Sequence, residues 1–83
     1  MKVELRKSAI KDLEKIPPSI KKRIVLALFS LENFPNVPNL KRLVNFDHAY
    51  RMRVGDYRIL FDNIDDIIFV ARIVNRKDSY KTK

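Results

Sequence analysis

Tyr50-Arg51-Met52-Arg53-Val54-Gly55-Asp56-Tyr57-Arg58-Ile59-Leu60-Phe61 is the stretch whose reading decides the fold. Apolar residues alternate with others on both sides of Gly55-Asp56, the period of a strand with one buried face. Gly55-Asp56 is a two-residue hairpin signal, because glycine suits a first turn position with positive φ. With that turn, Val54 faces Tyr57, Met52 faces Ile59 and Arg53 faces Arg58. One face then reads Tyr50, Met52, Val54, Tyr57, Ile59 and Phe61. The opposite face begins Arg51, Arg53, Arg58, Leu60.

Downstream, a turn within Asn63 to Asp66 leads to a strand from Ile67 to Asn75. Register decides the chemistry here, since a slip of one residue exchanges the two faces. If Phe69, Ala71 and Ile73 continue the apolar face, then Val70, Arg72, Val74 and Arg76 continue the basic one. That outcome needs an odd-length connection or a bulge between these two strands. One of the two is expected, because the alternative drives Arg72 into the core.

Upstream, Val3 and Leu5 alternate with polar neighbours, so Lys2 to Arg6 reads as a short first strand. Ser8 is placed to cap a helix in which Ile10, Leu13 and Ile16 recur near helical spacing. Pro17 and Pro18 end it, since a proline disfavours helical geometry in the residue before it. A second helix opens at Pro18 or Ser19, with Ile20, Ile24, Leu28 and Leu31 facing the sheet and Lys21, Lys22 and Arg23 in water. It is finished by Asn33. Asn36 to Asn39 form a connector, and Lys41 to Phe46 lead into a strand from Ala49 to Val54. Tyr50 and Tyr57 read as core residues. The expected fold class is α+β: an N-terminal strand and a helical hairpin packed on one face of a small, mainly antiparallel sheet, as one domain over residues 1–83.

The chain has 83 residues, of which 46% are hydrophobic, enough for one thin core and too many for a disordered chain. Its 18 Lys and Arg against 10 Asp and Glu give a formal net charge of +8. Such a balance favours nucleic acid, an acidic protein or, least of the three, an anionic membrane surface as partner. No apolar run approaches the ~20 residues a membrane span needs, and no signal-peptide pattern opens the chain. With no cysteine there is no disulfide, thiolate nucleophile or sulfur-based zinc site, which fits a cytoplasmic protein.

The usual catalytic inventories are nearly empty. His48 lacks a second ligand or an obvious carboxylate partner at motif spacing and reads as a loop residue. A chain with one glycine has no glycine-rich phosphate loop. What remains is the row Arg51, Arg53, Arg58, Arg72 and Arg76, with Tyr80 just past the last strand. Like charges opposite one another across strands destabilise the pairing, so gathering them on one face points to an anionic partner, best a phosphate backbone. A guanidinium fork grips phosphate oxygens and stabilises charge developing at phosphorus. Guanidinium groups around a tyrosine favour its phenolate and so its use as a general base. The set is compatible with a ribonuclease that works without histidine, metal or cofactor: the 2′-hydroxyl is deprotonated, attacks the adjacent phosphate and leaves a 2′,3′-cyclic phosphate.

The run Tyr50 to Phe61 followed by Asn75-Arg76-Lys77-Asp78-Ser79-Tyr80 resembles the signature half of the RelE/ParE toxin superfamily, and the layout before it is similar too. The resemblance implies a RelE-like toxin of a type II toxin–antitoxin pair that cuts messenger RNA in the ribosomal A site. It implies a RelB-like antitoxin with an acidic amphipathic helix, and operator DNA bound only through the complex with that antitoxin. Carried over by motif, Arg51 and Arg53 hold the RNA backbone and assist catalysis, and Arg58 contacts the scissile phosphate. Arg76 stabilises or protonates the leaving oxygen, and Tyr80 is the general base. Lys77 is placed to bind RNA. Many relatives carry His where this chain has Asn75, which cannot serve as a base, so cleavage falls to tyrosine and arginine.

Other readings stand beside these. An isolated arginine is commonly a solvated face residue, and Arg72 can equally pair with Asp62 or with the antitoxin. Lys21, Lys22 and Arg23 can form a solvated helix face or dock on ribosomal RNA through contacts that position without reading sequence. For the whole chain the competitors are a ParE-like gyrase inhibitor without nuclease activity, and an inactive member acting in a toxin–antitoxin repressor complex.

Overall fold

The computed structural model describes residues 1–44 and 47–79. The chain runs β1 (Lys2–Leu5), α1 (Lys7–Glu14), α2 (Pro18–Ser30), a short 3-10 turn (Leu31–Asn33), β2 (Leu40–Arg42), β3 (Tyr50–Val54), β4 (Tyr57–Ile64), β5 (Ile67–Asn75) and α3 (Arg76–Ser79). The strands form one sheet in the order β1-β5-β4-β3-β2, parallel between β1 and β5 and antiparallel elsewhere. The helical hairpin carries the chain from the β1 edge to the β2 edge. Ile16, Ile24, Leu28 and Leu31 pack with Met52, Ile59, Phe61, Ile68, Val70 and Ile73 into one buried cluster. Phe34 and Tyr50 extend it, Tyr50 stacking on Phe61 at 5.6 Å and Phe34 meeting Tyr50 edge-on at 5.0 Å.

The α+β architecture is the one expected, and so is the hairpin: Val54 pairs Tyr57, Arg53 pairs Arg58 and Met52 pairs Ile59, with Gly55 at a φ of +59°. The second turn is also two residues, Asp65-Asp66, both at positive φ, which aspartate tolerates better than most residues. An even turn alone would send Arg72 inward. A bulge between Leu60 and Phe61 prevents it: Phe61 pairs Val70, Leu60 pairs Arg72, and Ala71 is the additional residue on β5.

The position of the bulge corrects two assignments, that of Phe69 to the apolar face and that of Val70 to the basic one. It lies halfway along β5, so Ile68 and Val70 precede it on the helix-covered face and Ile73 follows it there. Phe69, expected in the core, instead shares the open face with Asp62, and the Arg6 guanidinium lies 5.1 Å from its ring centre.

Two further expectations change. Ser8 does not cap α1, whose N-cap is Arg6; its hydroxyl donates to Ala71 O at 2.6 Å. This bond belongs to a series along the outer edge of β5. β1 ends at Leu5, beyond which Arg6 N–H donates to Val70 O, Ser8 to Ala71 O, and Ile73 N–H to the Asp12 carboxylate at 2.9 Å. Side chains of α1 thus satisfy backbone groups that β1 is too short to reach. The lead-in expected from Lys41 overlaps β2 (Leu40–Arg42), which pairs Leu40 with Met52, Lys41 with Arg51 and Arg42 with Tyr50.

Candidate nucleic-acid interface

The site is built on the sheet face away from the helices. Strand alternation places Arg51, Arg53 and Arg58 there, and the bulge adds Arg72. Arg53 and Arg58 are direct cross-strand neighbours beside the Gly55-Asp56 turn. Arg53 Nε donates to Gly55 O at 3.3 Å, which directs this side chain along the turn. Arg76 follows β5 at the same end, its N–H bonded to Asp56 O at 2.6 Å and its side chain exposed. The backbone therefore gathers Arg53, Arg58 and Arg76 around one tight turn.

One row further along the strands, Lys41 stands opposite Arg51 and Leu60 opposite Arg72. Lys41 joins the basic face through β2, a three-residue strand too short to show an alternating pattern. Arg51 is half-buried and Lys41 exposed. Arg72 is held in a fork by Asp12 of α1: Nε donates to Oδ2 at 2.7 Å and Nη2 to Oδ1 at 3.1 Å. Its ion-pair partner is Asp12 and not Asp62, whose carboxylate contacts His48 Nδ1 at 3.0 Å and accepts Ala49 N–H at 2.8 Å. His48 thus has the carboxylate partner that sequence spacing did not disclose.

Asn75 sits at the start of α3, where its Oδ1 accepts Lys77 N–H at 3.1 Å. It orders the approach to Arg76 and Lys77, and Lys77 is exposed. On α2, Lys21 is half-buried while Lys22 and Arg23 are exposed. Arg23 reaches the Gly55 turn: a Cβ at Gly55 would meet its Nη1 at 3.5 Å. Tyr80, the expected base, lies outside the described residues.

Among the described residues no group of three or more His, Cys, Asp and Glu is placed to hold a metal ion, and no helix is long and apolar enough to cross a membrane. The arrangement is a basic surface: an arginine pair flanked by Arg76 at one end and Lys41 and Arg51 at the other, on the sheet.

A helical hairpin lies over one face of a five-stranded sheet, and cations are massed on the other face at its central turn. The model of the ParE toxin of type II toxin–antitoxin systems matches residues 3–80, and the chain belongs to this family within the RelE/ParE superfamily. It is 36% identical to toxin RelE3 of Methanocaldococcus jannaschii, with 96% of each chain covered. The RelB–RelE antitoxin–toxin complex from Methanococcus jannaschii contains a similar structure, with a TM-score of 0.77, 31% identity and coverage of 93% of this chain and 94% of that one. The RelBE2 toxin–antitoxin complex of Mycobacterium tuberculosis is also similar, with a TM-score of 0.76, 29% identity and coverage of 90% and 96%.

Proposed function

We propose that this toxin is a ribosome-dependent messenger RNA endoribonuclease, acting in the cytoplasm on the A-site codon and silenced by a cognate RelB-like antitoxin. The observation that carries this reading is the facing pair Arg53 and Arg58 with Arg76 tied to the same turn. Three guanidinium groups around one hairpin suit a single phosphate passing from four-coordinate to five-coordinate.

In this mechanism Arg58 and Arg53 hold the non-bridging oxygens of the scissile phosphate, while Arg51 and Lys41 hold the next phosphate along the strands. Tyr80 takes the proton of the 2′-hydroxyl, whose oxygen attacks phosphorus as the bond to the 5′-oxygen breaks. Arg76 stabilises the charge on the departing oxygen, which is protonated to a 5′-hydroxyl, and the other product ends in a 2′,3′-cyclic phosphate. Lys77, Lys21, Lys22 and Arg23 supply contacts to RNA backbone, with Arg72 secondary to them because Asp12 already holds its fork. The antitoxin offers an acidic amphipathic helix to the same basic protein, and operator DNA is met only through that complex.

The test is expression of the toxin without antitoxin, followed by mapping of message ends. Cuts within translated codons that disappear in Arg76→Ala support the reading. Growth arrest with DNA damage and intact messages, the outcome expected of a gyrase inhibitor, refutes it.

A further inference from the structure

On the helix side of the Gly55-Asp56 turn lies an open pocket of about 200 Å³. Ile20 and Arg23 of α2 form one wall, Val54, the turn and Tyr57 form the other, and Asn75 closes the end towards α3. Its lining is mixed: two aliphatic residues and a tyrosine beside an arginine, an asparagine and the acidic Asp56 of the turn. Asn75 Oδ1 already accepts Lys77 N–H, so its amide nitrogen is the group left to donate.

The guanidinium of Arg23 lies beside the Gly55 turn. The position a Gly55 Cβ would take is 3.5 Å from Nη1, 3.8 Å from Nη2 and 3.9 Å from Cζ, so the group turns its Nη edge towards the turn. Arg23 is an exposed residue that also lines the pocket, which puts its plane within reach of a ligand there. A flat cation of this kind stacks on flat π-systems.

The pocket and the arginine cluster share one structural element. Arg53 donates to Gly55 O and Arg76 N–H to Asp56 O, so the two carbonyls of a single turn anchor the cations, while the same turn forms a wall of the pocket. Only one layer of backbone separates them. A ligand that suits both places carries an anionic group and, a short tether away, a planar body with a polar edge. A lone phosphate ion does not use the apolar half of the pocket.

We propose that this pocket is a nucleobase subsite: it receives one base of the RNA strand whose phosphate is held by Arg53 and Arg58, with Arg23 stacked on the base. The inference rests on the proposed reading that RNA is the substrate, and it gives Arg23 of α2 a base to contact in place of RNA backbone. Stacking contacts of this type tolerate any base and are sensitive to its removal.

The experiment uses a hexanucleotide RNA that is 2′-O-methylated throughout, and so cannot be cut, bearing a single 2-aminopurine placed in turn at each position. An otherwise identical RNA is abasic at that position. Binding to the antitoxin-free toxin is followed by fluorescence anisotropy and by 2-aminopurine quenching. At one position the base is expected to be quenched several-fold and to bind about tenfold tighter than its abasic counterpart. Arg23→Ala and Arg23→Lys should both abolish that discrimination, the lysine variant because it keeps the charge and loses the plane.

Equal binding of base-bearing and abasic RNA at every position overturns the subsite while leaving the phosphate grip intact. So does an Arg23→Lys variant that discriminates as well as the wild type, since charge alone then suffices. Circular dichroism of both variants confirms that they are folded. If neither RNA binds the wild type and messages stay intact in cells, the nuclease reading fails and the subsite with it.

Discussion

Replacing Asp12 by alanine should cost more stability than removing the arginine it holds, because the carboxylate serves two elements at once. Its Oδ2 accepts Ile73 N–H at 2.9 Å and Arg72 Nε at 2.7 Å, and Oδ1 accepts Arg72 Nη2 at 3.1 Å. The side chain of Asp12 is 16% exposed and that of Arg72 is 40%. A buried backbone N–H left without an acceptor costs about 1–3 kcal/mol. The ion pair, discounted for the solvent around Arg72, contributes about 0.2–1 kcal/mol. Asp12→Ala loses both contributions and should destabilise by about 2–3 kcal/mol, whereas Arg72→Ala keeps the acceptor for Ile73 N–H and, for its bond to Asp12, should cost about 0.5–1 kcal/mol. For a domain of this size the larger figure is a fall in Tm of roughly 10–20 °C. Asp12→Asn keeps an acceptor for Ile73 N–H and should fall between the two.

Thermal and urea unfolding followed by circular dichroism measures all three, and an unchanged urea slope identifies the effect as one on stability. If Asp12→Ala proves no worse than Arg72→Ala, the carboxylate is an ordinary surface ion-pair partner and the account of the β5 edge is wrong. The same pair of variants bears on function. Arg72 lies a row away from the Gly55-Asp56 turn, so its loss should weaken RNA binding less than the loss of Arg58.

Three further outcomes follow from the same geometry. Gly55→Ala should destabilise by about 1–2 kcal/mol through its φ of +59°, since the added Cβ meets Arg23 only at ordinary contact distance; chemical denaturation checks this. In titrations of single-stranded RNA against salt, each of Arg53→Ala and Arg58→Ala should lower the slope of log K against log salt by about 0.7, and unchanged slopes would place the RNA elsewhere. Phosphate-rich polyanions should raise the Tm of the wild type by mass action, and by less in Arg53→Ala, because relief of the facing charges on β3 and β4 is part of the binding energy.

The hairpin was legible because its signals are local. Gly55-Asp56 names the turn, and period-2 alternation on both sides names the faces, so the Arg53–Arg58 pair could be read from a dozen residues. That an odd-length connection or a bulge was needed was legible too, since without one Arg72 would be buried. Its place was not. The bulge lies at Ala71, where β1 has ended and α1 takes over the edge, so what sets it includes a hydrogen bond from a serine 63 residues away. The same reason hides β2, whose three residues are a strand only because Met52, Arg51 and Tyr50 lie beside them.

Sequence alone determined that this chain is a thin α+β domain with a basic sheet face, since proline punctuation, helical spacing and strand alternation are written in neighbouring residues. Which cations share a site was decided by tertiary structure. Arg76 meets Asp56, Lys41 meets Arg51, Arg23 covers Gly55 and Asp12 withdraws Arg72, each across a stretch of chain that carries no mark of the encounter. Such contacts follow from the packing of α1 and α2 and from strand order, and side-chain chemistry acquires its meaning only where these bring it together.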